Sequence, residues 1–425
     1  MTSLNLLLWI MGGIFLQLFI YLGISFGQHW VNYQSLRLNV ASGDSTAQSG
    51  LELVATENLA AAWSGWREFR VTHKVIEDAA QAICSFYLVP QDEQVLPSFL
   101  PGQYLTFQLD IPLADGRMES MTRCYSLSDA PRSNGYRVSI KLAHPPENSA
   151  FSPGRASHYW HETIHVGSVL KVRAPAGHFY LDHSDTPVVL VGGGIGITPM
   201  LSMLNWALAA QPGREIWLFY GVSSGLELMA RSHLEAMADI HPNFHLNICL
   251  SKPDAHEVLG KSYQHHGRIH VDLFRRLLPL KPFHFYICGP TPMLESLVPA
   301  LEDWGVPDAH IHFEAFGPAS VKRKTAVQAA NSAIPTAVSG SPVTVTFSQS
   351  GRQVPWHAGC GSLLDFAEAQ GISIPSGCRA GGCGSCQTTI QSGEVVYQNP
   401  PDFDPEPGTC LMCVCTPQTN VTLEL

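Results

Sequence analysis

The sequence lacks an excess of basic residues. Its 25 lysines and arginines are outnumbered by 35 aspartates and glutamates, which gives a formal net charge of −10. A nucleic-acid-binding protein needs a basic face that neutralises phosphates. The composition therefore argues against a nucleic-acid partner.

The sequence also lacks a disulfide framework. Of its 11 cysteines, seven are scattered without regular spacing: Cys84, Cys124, Cys249, Cys288, Cys360, Cys410 and Cys415. Disulfide scaffolds are short secreted domains with patterned cysteines, so we expect a reducing, cytosolic compartment for the folded part of the chain. None of the 19 histidines has the spacing to a carboxylate that a metal site would need.

One long apolar run lies at the N-terminus, where Leu4 to Phe26 form 23 residues without a charge. As a helix this run would measure roughly 34 Å, more than a hydrocarbon core of about 30 Å. A cleaved signal peptide is the alternative, but no basic segment precedes the run and no small-residue cleavage site follows it. We predict a transmembrane anchor at 1–30 in a single-pass protein of a bacterial inner membrane. Arg67, Arg70 and Lys74 favour a cytoplasmic location for the catalytic domains.

The length of 425 residues is too great for one hydrophobic core and predicts about three domains. Two stretches rich in small and polar residues, 39–50 and 321–341, are typical of tethers. The segment between them has roughly 250 residues, which is enough for two domains.

Three cysteines near the C-terminus, Cys378, Cys383 and Cys386, have C-x4-C-x2-C spacing in a glycine-rich loop. This is the plant-type spacing of a 2Fe-2S cluster, in which thiolates hold tetrahedral iron. Structural zinc is the alternative, but zinc sites consist of two close pairs of ligands, and only Cys383 and Cys386 form such a pair. The fourth ligand lies among Cys410, Cys413 and Cys415, which the spacing alone does not distinguish.

The segment from Pro342 to Leu425 resembles plant-type ferredoxins, whose last ligand lies in a Leu-x-Cys-Val-x-x-Pro string. This resemblance selects Cys413 as the fourth ligand and implies a β-grasp fold. The alternating run Val343–Phe347 and the helical spacing of Leu363 to Ala367 are compatible with that fold. Acidic residues outnumber basic ones here, so we expect a redox acceptor protein with a basic docking face.

The region that begins near Trp66 is rich in short strands, among them 83–89, 103–109 and 136–142, which predict an antiparallel barrel. Arg123-Cys-Tyr-Ser126 and Pro101-Gly-Gln-Tyr104 resemble the flavin-binding segments of the ferredoxin-reductase superfamily. The resemblance implies that Tyr104 and Tyr125 contact the flavin, that Ser126 bonds near its N5 and that Arg123 neutralises a phosphate.

Two further segments extend this resemblance. Gly154-Arg-Ala-Ser157 is similar to the superfamily's second phosphate segment, and residues 313–318 are similar to the terminal flavin-contacting segment of flavohaemoglobins. The residues implied in the latter are Glu314, Phe316, Gly317 and Pro318. The flavohaemoglobin likeness favours FAD. The domain order matches phthalate dioxygenase reductase, which uses FMN, so FMN is the alternative.

A nucleotide-binding unit follows, since the apolar strand 187–191 leads into a glycine-rich turn and then a helix predicted near Met200. The turn resembles the superfamily's G-x-G-x-T-P variant. The residues that it implies for the dinucleotide are Gly194, Gly196, Thr198 and Pro199. Cys288 and Gly289 match its Cys-Gly-Pro-x-x-Met segment, which implies that Cys288 lies beside the nicotinamide. NADH and NADPH both remain open, with Ser223, Ser224, Arg231 and Lys252 available to a 2′-phosphate.

These features together predict a multidomain protein. Its predicted parts are a transmembrane helix (1–30), a linker (31–65), an antiparallel β-barrel FAD domain (66–183), an α/β Rossmann-like NAD(P) domain (184–320), a linker (321–341) and a β-grasp ferredoxin domain (342–425). The predicted function is electron transfer from NAD(P)H through flavin to the cluster and on to an acceptor such as an oxygenase, with Ser126, Cys288 and Glu314 nearest the reacting atoms. Direct reduction of a quinone and a membrane redox sensor are the alternatives.

Overall fold

The computed structural model of the chain describes residues 63, 65–113, 116–144, 154–316, 343–357, 359–372, 374, 376, 379, 381, 384–397, 401, 403 and 405–425. All of them belong to one compact unit. The predicted anchor 1–30, the linker 321–341 and all of the linker 31–65 except residues 63 and 65 lie outside these ranges. Within the described ranges, no helix has the length and apolarity needed to cross a membrane.

Six antiparallel strands form the first part of the structure. They are β1 (Arg67–Ile76), β2 (Ile83–Pro90), β3 (Tyr104–Pro112), β4 (Met118–Ser126), β5 (Tyr136–Lys141) and β6 (Val169–Val172). Their order is β4-β3-β6-β1-β2-β5, and a bridge between Leu127 and Val138 joins the end of β4 to β5. The sheet therefore curls into the predicted barrel, and three of the predicted strands appear as β2, β3 and β5.

A short helix closes the barrel. Helix α1 (Arg155–His158) continues as one wider turn over Tyr159–Thr163 and buries Trp160 among the barrel's aromatic side chains. The Trp160 ring centroid lies 4.7 Å from that of Phe86 and 5.1 Å from that of Phe107. Lys74 on β1 donates to the carbonyls of His161 and Ile164 at 2.5 and 2.9 Å, which satisfies acceptors at the end of this turn.

Six parallel strands form the second part. They are β7 (Val188–Gly193), β8 (Ile216–Val222), β9 (Phe244–Leu250), β10 (His265–His266), β11 (His284–Gly289) and β12 (Ile311–Ala315), in the order β10-β9-β8-β7-β11-β12. Every residue of β7 is buried, as expected for a parallel strand covered on both faces. From β7 the chain adds strands first towards one edge of the sheet (β8, β9, β10) and then towards the other (β11, β12). The strand order therefore switches between β7 and β11, and ligands bind at such a switch point.

The helices of this part are α2 (Ile197–Ala210), α3 (Arg231–Ile240), α4 (Val271–Leu277) and α5 (Thr291–Asp303). Helix α2 begins three residues before the predicted Met200, because Pro199 is tolerated in a first turn, where its missing N–H has no helical partner to lose. Asp129 from the barrel accepts hydrogen bonds from Ser202 and Asn205 of α2, each at 2.8 Å. These contacts hold the middle of α2 beside the barrel.

The described residues of the C-terminal part form a five-stranded mixed sheet, a two-stranded sheet and one helix. Its strands are β13 (Thr344–Phe347), β14 (Arg352–Pro355), β15 (Gln387–Ser392), β16 (Val395–Tyr397), β17 (Thr409–Leu411), β18 (Cys415–Pro417) and β19 (Val421–Leu423), and its helix is α6 (Leu363–Ala369). The five-stranded sheet has the order β14-β13-β19-β15-β17, and the two-stranded sheet is β16-β18. Ser362 and Asp365 form a capping box at the start of α6. Phe366 of α6 packs on Phe347 of β13, with ring centroids 6.2 Å apart. The arrangement agrees with the fold that the ferredoxin resemblance implied.

Candidate functional site

One cavity of about 660 Å³ lies where the three parts of the chain meet. Its volume is in the range of small-molecule and cofactor sites. Nine of the residues singled out from the sequence line it: Tyr104, Arg123, Tyr125, Ser126, Gly154, Ser157, Thr198, Glu314 and Phe316. Gly317 and Pro318 lie outside the described residues.

The barrel supplies one wall of the cavity through the paired strands β3 and β4. Tyr104 lies opposite Ser126 in this pair, and Leu105 lies opposite Tyr125. The Tyr125 ring packs against Trp160, with centroids 5.6 Å apart, and burial raises the pKa of its hydroxyl, so this group stays neutral. Arg123 of β4 adds a positive charge to this wall, and Lys141 and Arg155 also line the cavity.

The second phosphate segment, Gly154 to Ser157, forms the N-cap and first turn of α1. Ser157 Oγ donates to the Gly154 carbonyl at 2.8 Å and accepts from the Ala143 N–H at 3.0 Å. A side chain on Gly154 would place its Cβ 2.7 Å from the Ala143 Cβ, so no larger residue fits. The Ser157 hydroxyl therefore shapes the turn, which leaves Arg123 as the stronger candidate for a phosphate contact.

The glycine-rich turn joins the cavity to the switch point of the parallel sheet. Gly194 has a positive φ of 56°, and a Cβ on Gly196 would lie 2.2 Å from the carbonyl oxygen of Cys288. Thr198 Oγ1 donates to the Ile195 carbonyl at 2.9 Å, which tightens the start of α2. Pro199 follows in the first turn of α2 and is buried.

Cys288 lies at the carboxyl end of β11, directly behind this turn. It is fully buried, and its register partners are Gly192 on β7 and Glu314 on β12. Burial, and next the charge of Glu314, raise the pKa of its thiol. A neutral buried thiol is a poor nucleophile, so Cys288 and the adjacent Gly289 can shape the wall beside a nicotinamide without forming a covalent bond.

Glu314 is the one acidic residue that lines the described part of the cavity. It is partly buried at the end of β12, and desolvation raises the pKa of its carboxyl from 4.5 to about 8. Near neutral pH a large share of this group is therefore a carboxylic acid. Such a group can donate a hydrogen bond or a proton, as perturbed carboxyls at functional sites do.

The loops that follow β8 and β9 contain an acidic residue that the sequence reasoning missed. Glu257 accepts from the Gly225 N–H at 2.5 Å and from the Asp254 N–H at 2.7 Å. Arg231, one of the residues that the sequence leaves available to a 2′-phosphate, donates to Glu235 at 2.8 Å and to the Ser262 carbonyl at 3.0 Å. Glu257 thus places a negative charge beside the loop after β8, at the edge where dinucleotide folds bind the ribose, and this charge would repel a 2′-phosphate.

The structure describes two of the four predicted cluster ligands. Cys386 and Cys413 are both buried, and the Met412 N–H donates to the Cys386 carbonyl at 3.2 Å, which brings their segments together. Cys378 and Cys383 lie outside the described residues. Cys410 and Cys415 are fully buried. The pKa of the Cys415 thiol is raised, mainly by a hydrogen bond with Cys410. Both cysteines belong to the hydrophobic core of the C-terminal part.

Two protein-family models match the chain. Residues 190–298 match the oxidoreductase NAD-binding domain, and residues 345–418 match the 2Fe-2S iron-sulfur cluster binding domain. The first match contains the glycine-rich turn and Cys288. The second contains all four predicted cluster ligands.

Curated relatives match a large part of the chain. The flavohemoprotein of Halalkalibacterium halodurans is 36% identical over 266 residues, which are 62% of this chain and 63% of that protein. The flavohemoprotein of Bordetella pertussis is 38% identical over 263 residues, 61% of this chain and 62% of that protein. The chain thus spans less than two thirds of the length of these relatives.

Two solved structures are similar to the chain. The flavohem-like FAD/NAD-binding domain of nitric oxide dioxygenase from Vibrio cholerae is 32% identical with a TM-score of 0.52, and the match covers 59% of this chain and 99% of that domain. Phthalate dioxygenase reductase is 26% identical with a TM-score of 0.50, over 85% of this chain and 98% of that one. Together with the motifs and the fold, these matches place the polypeptide: it belongs to the ferredoxin-reductase superfamily of NAD-dependent flavoproteins and carries a C-terminal 2Fe-2S ferredoxin-type domain.

Proposed function

We propose that the chain is a membrane-anchored reductase that passes electrons from NADH through FAD to a 2Fe-2S cluster and on to a protein acceptor. The observation that carries this proposal is the composition of one cavity. Tyr125 comes from the barrel, Thr198 of α2 and Glu314 of β12 come from the nucleotide-binding part, and Arg379 comes from the cluster loop. A group bound there contacts all three parts of the chain, which is the placement that a relay requires.

The residues present fit a flavin. Tyr125 offers an aromatic face, Ser126 a hydroxyl, Arg123 a guanidinium for a phosphate, and Glu314 a neutral carboxyl. When bound, a flavin can accept two electrons from a reduced nicotinamide and release them singly to an iron-sulfur cluster. The similar FAD/NAD-binding domain supports FAD over FMN.

The parallel sheet would hold the dinucleotide at the switch point. The turn 194–196 and the N-terminus of α2, a helix of 14 residues, face that point, where exposed N–H groups favour a diphosphate. Cys288 and Gly289 would form the wall beside the nicotinamide. Glu257 supports NADH as the substrate, because its carboxylate would disfavour a 2′-phosphate.

The acceptor of the electrons would dock on the C-terminal part. Glu394, Glu406 and Glu424 are exposed there, whereas Asp365 and Glu368 are paired with Arg379. A basic partner would complement the three exposed carboxylates. The apolar N-terminal run supports a membrane location for the protein, with its catalytic domains in the cytoplasm and an acceptor in or on the same membrane.

The relay can be tested with two electron acceptors. Ferricyanide accepts electrons from a reduced flavin, whereas cytochrome c is expected to take them from the cluster. Cys413→Ser should keep NADH-dependent ferricyanide reduction within about twofold and lower cytochrome c reduction at least tenfold. Cys360→Ser, a change in the same part of the chain at a partly exposed cysteine, is the matched control and should change neither. Equal cytochrome c rates in Cys413→Ser and wild type would contradict the proposal.

A further inference from the structure

A stack of one cation and two aromatic rings joins the barrel to the C-terminal part. The guanidinium carbon of Arg173 lies 4.6 Å from the ring centroid of Trp66 and 4.5 Å from that of Phe403. Both distances are within the range of attractive cation–π contacts. Trp66 precedes β1 and Arg173 follows β6, so both belong to the barrel, while Phe403 follows the cluster loop in sequence.

Phe403 rests directly on the loop that carries the predicted cluster ligands. Its N–H donates to the Gly381 carbonyl at 3.0 Å. A Cβ added to Gly384 would lie 2.7 Å from two carbons of the Phe403 ring, so ring and loop backbone are in close contact. Cys386 is two residues beyond Gly384. Phe403 therefore links the cluster loop to Arg173.

The position of Arg173 is set by the barrel. Its N–H donates to the Thr106 carbonyl at 2.9 Å, and Thr106 lies on β3, two residues after Tyr104 of the flavin cavity. A second contact holds the same loop: Arg379 lines that cavity and pairs with Glu368 and, at 3.5 Å, with Asp365 of α6. These ion pairs hold the loop to α6 of its own part, whereas the stack joins the loop to the barrel.

We propose that Arg173 is a positioning residue for the transfer of electrons from the flavin to the cluster. Through Phe403 it holds the cluster loop against the barrel strand that also forms the flavin cavity. This inference rests on the proposed function. Loss of the stack leaves both cofactor sites complete but lets the loop move away from the flavin, so the step from flavin to cluster slows while the step from nicotinamide to flavin does not.

The experiment separates these two steps in the full chain loaded with both cofactors. Rapid anaerobic mixing with NADH follows flavin reduction by absorbance and cluster reduction by freeze-quench electron paramagnetic resonance. Arg173→Gln should reduce the flavin within twofold of the wild-type rate and the cluster at least fivefold more slowly, with unchanged resonance positions of the cluster. Arg173→Lys should restore at least half of the loss, since it keeps the positive charge.

Two further variants make the result specific. Phe403→Leu should slow cluster reduction as Arg173→Gln does, and the double variant should be no slower than either, because both changes break one stack. Phe403→Leu also decides the question if Arg173→Gln does not retain its cluster. Arg275→Gln is the matched control: it removes an arginine 5.6 Å from the Trp304 ring in the nucleotide-binding part and should affect neither step.

The inference is overturned if both variants reduce the cluster at the wild-type rate. It is also overturned if flavin and cluster reduction slow equally, since that result would indicate a general role in stability. Failure of the proposed function would look different, because wild-type flavin would then remain oxidised after mixing with NADH.

Discussion

Replacement of Gly196 by alanine tests the packing between the glycine-rich turn and β11. Gly196 has φ −62° and ψ −3°, which alanine adopts freely, so the backbone conformation is not the obstacle. The obstacle is space. The new Cβ would lie 2.2 Å from the Cys288 carbonyl oxygen, 2.5 Å from the Cys288 carbonyl carbon and 2.8 Å from the Gly289 nitrogen.

The size of the effect follows from these distances. Ordinary contact begins at 3.4 Å, so the turn and β11 must separate by about 1.2 Å, the difference between 3.4 and 2.2 Å. All three neighbouring atoms are backbone, so no side chain can rotate away. Overpacking typically costs about 1–3 kcal/mol, and we expect Gly196→Ala to lose about 3 kcal/mol of unfolding free energy and to slow flavin reduction by NADH at least tenfold.

Gly194→Ala is the matched comparison. Gly194 has φ +56°, but a Cβ there would have no neighbour within 4 Å. Its cost is the strain of a left-handed conformation, about 1–2 kcal/mol. Urea unfolding and anaerobic flavin reduction would be measured on both variants. A Gly196→Ala protein as stable as wild type, or less affected than Gly194→Ala, would refute the described contact between the turn and β11.

Three further predictions concern charged groups. Burial raises the pKa of the Glu314 carboxyl in the folded protein to about 8. The contribution of this carboxyl to stability is therefore fully present below about pH 4.5 and is lost as pH rises through 8. Glu314→Gln should remove this part of the pH dependence, and equal slopes of the urea midpoint against pH in variant and wild type between pH 5 and 9 would contradict the prediction. Glu257→Ser should raise kcat/KM for NADPH about tenfold while changing the value for NADH less than threefold, in steady-state assays with ferricyanide; an unchanged ratio would count against Glu257 as the selective group. Asp182 pairs at 2.5 Å with the buried guanidinium of Arg214, and Arg214 makes three other hydrogen bonds that the variant would keep. Asp182→Asn should therefore cost about 2 kcal/mol of unfolding free energy and leave activity unchanged. A loss below about 0.5 kcal/mol would show that the pair is not formed.

Local sequence patterns predicted the strands and motifs that depend on neighbouring residues. The strands β2, β3 and β5 have alternating or continuous apolar patterns of six to nine residues. The glycine-rich turn could be predicted from its composition alone. Strand β6 has only four residues, Val169–Val172, too few for a periodic signal. It exists because β1 and β3 pair with it on both sides.

The contacts between distant segments could not be predicted in this way. Glu257 reaches Gly225 from 32 positions further along the chain, and no local pattern distinguishes it from a solvated loop carboxylate. Phe403 meets Arg173 only after both parts have folded. Such pairings are set by tertiary structure, whereas a motif reports only the chemistry of its own segment.

The central claim is that electrons pass from a nicotinamide through a flavin to an iron-sulfur cluster within one chain. Anaerobic titration of the purified full chain with NADH tests it most directly, with visible absorbance and electron paramagnetic resonance recorded after each addition. We expect the flavin absorbance to bleach and the signal of a reduced 2Fe-2S cluster to appear in step with it, until both centres are fully reduced. A colourless protein, or a spectrum that NADH leaves unchanged, would contradict the account.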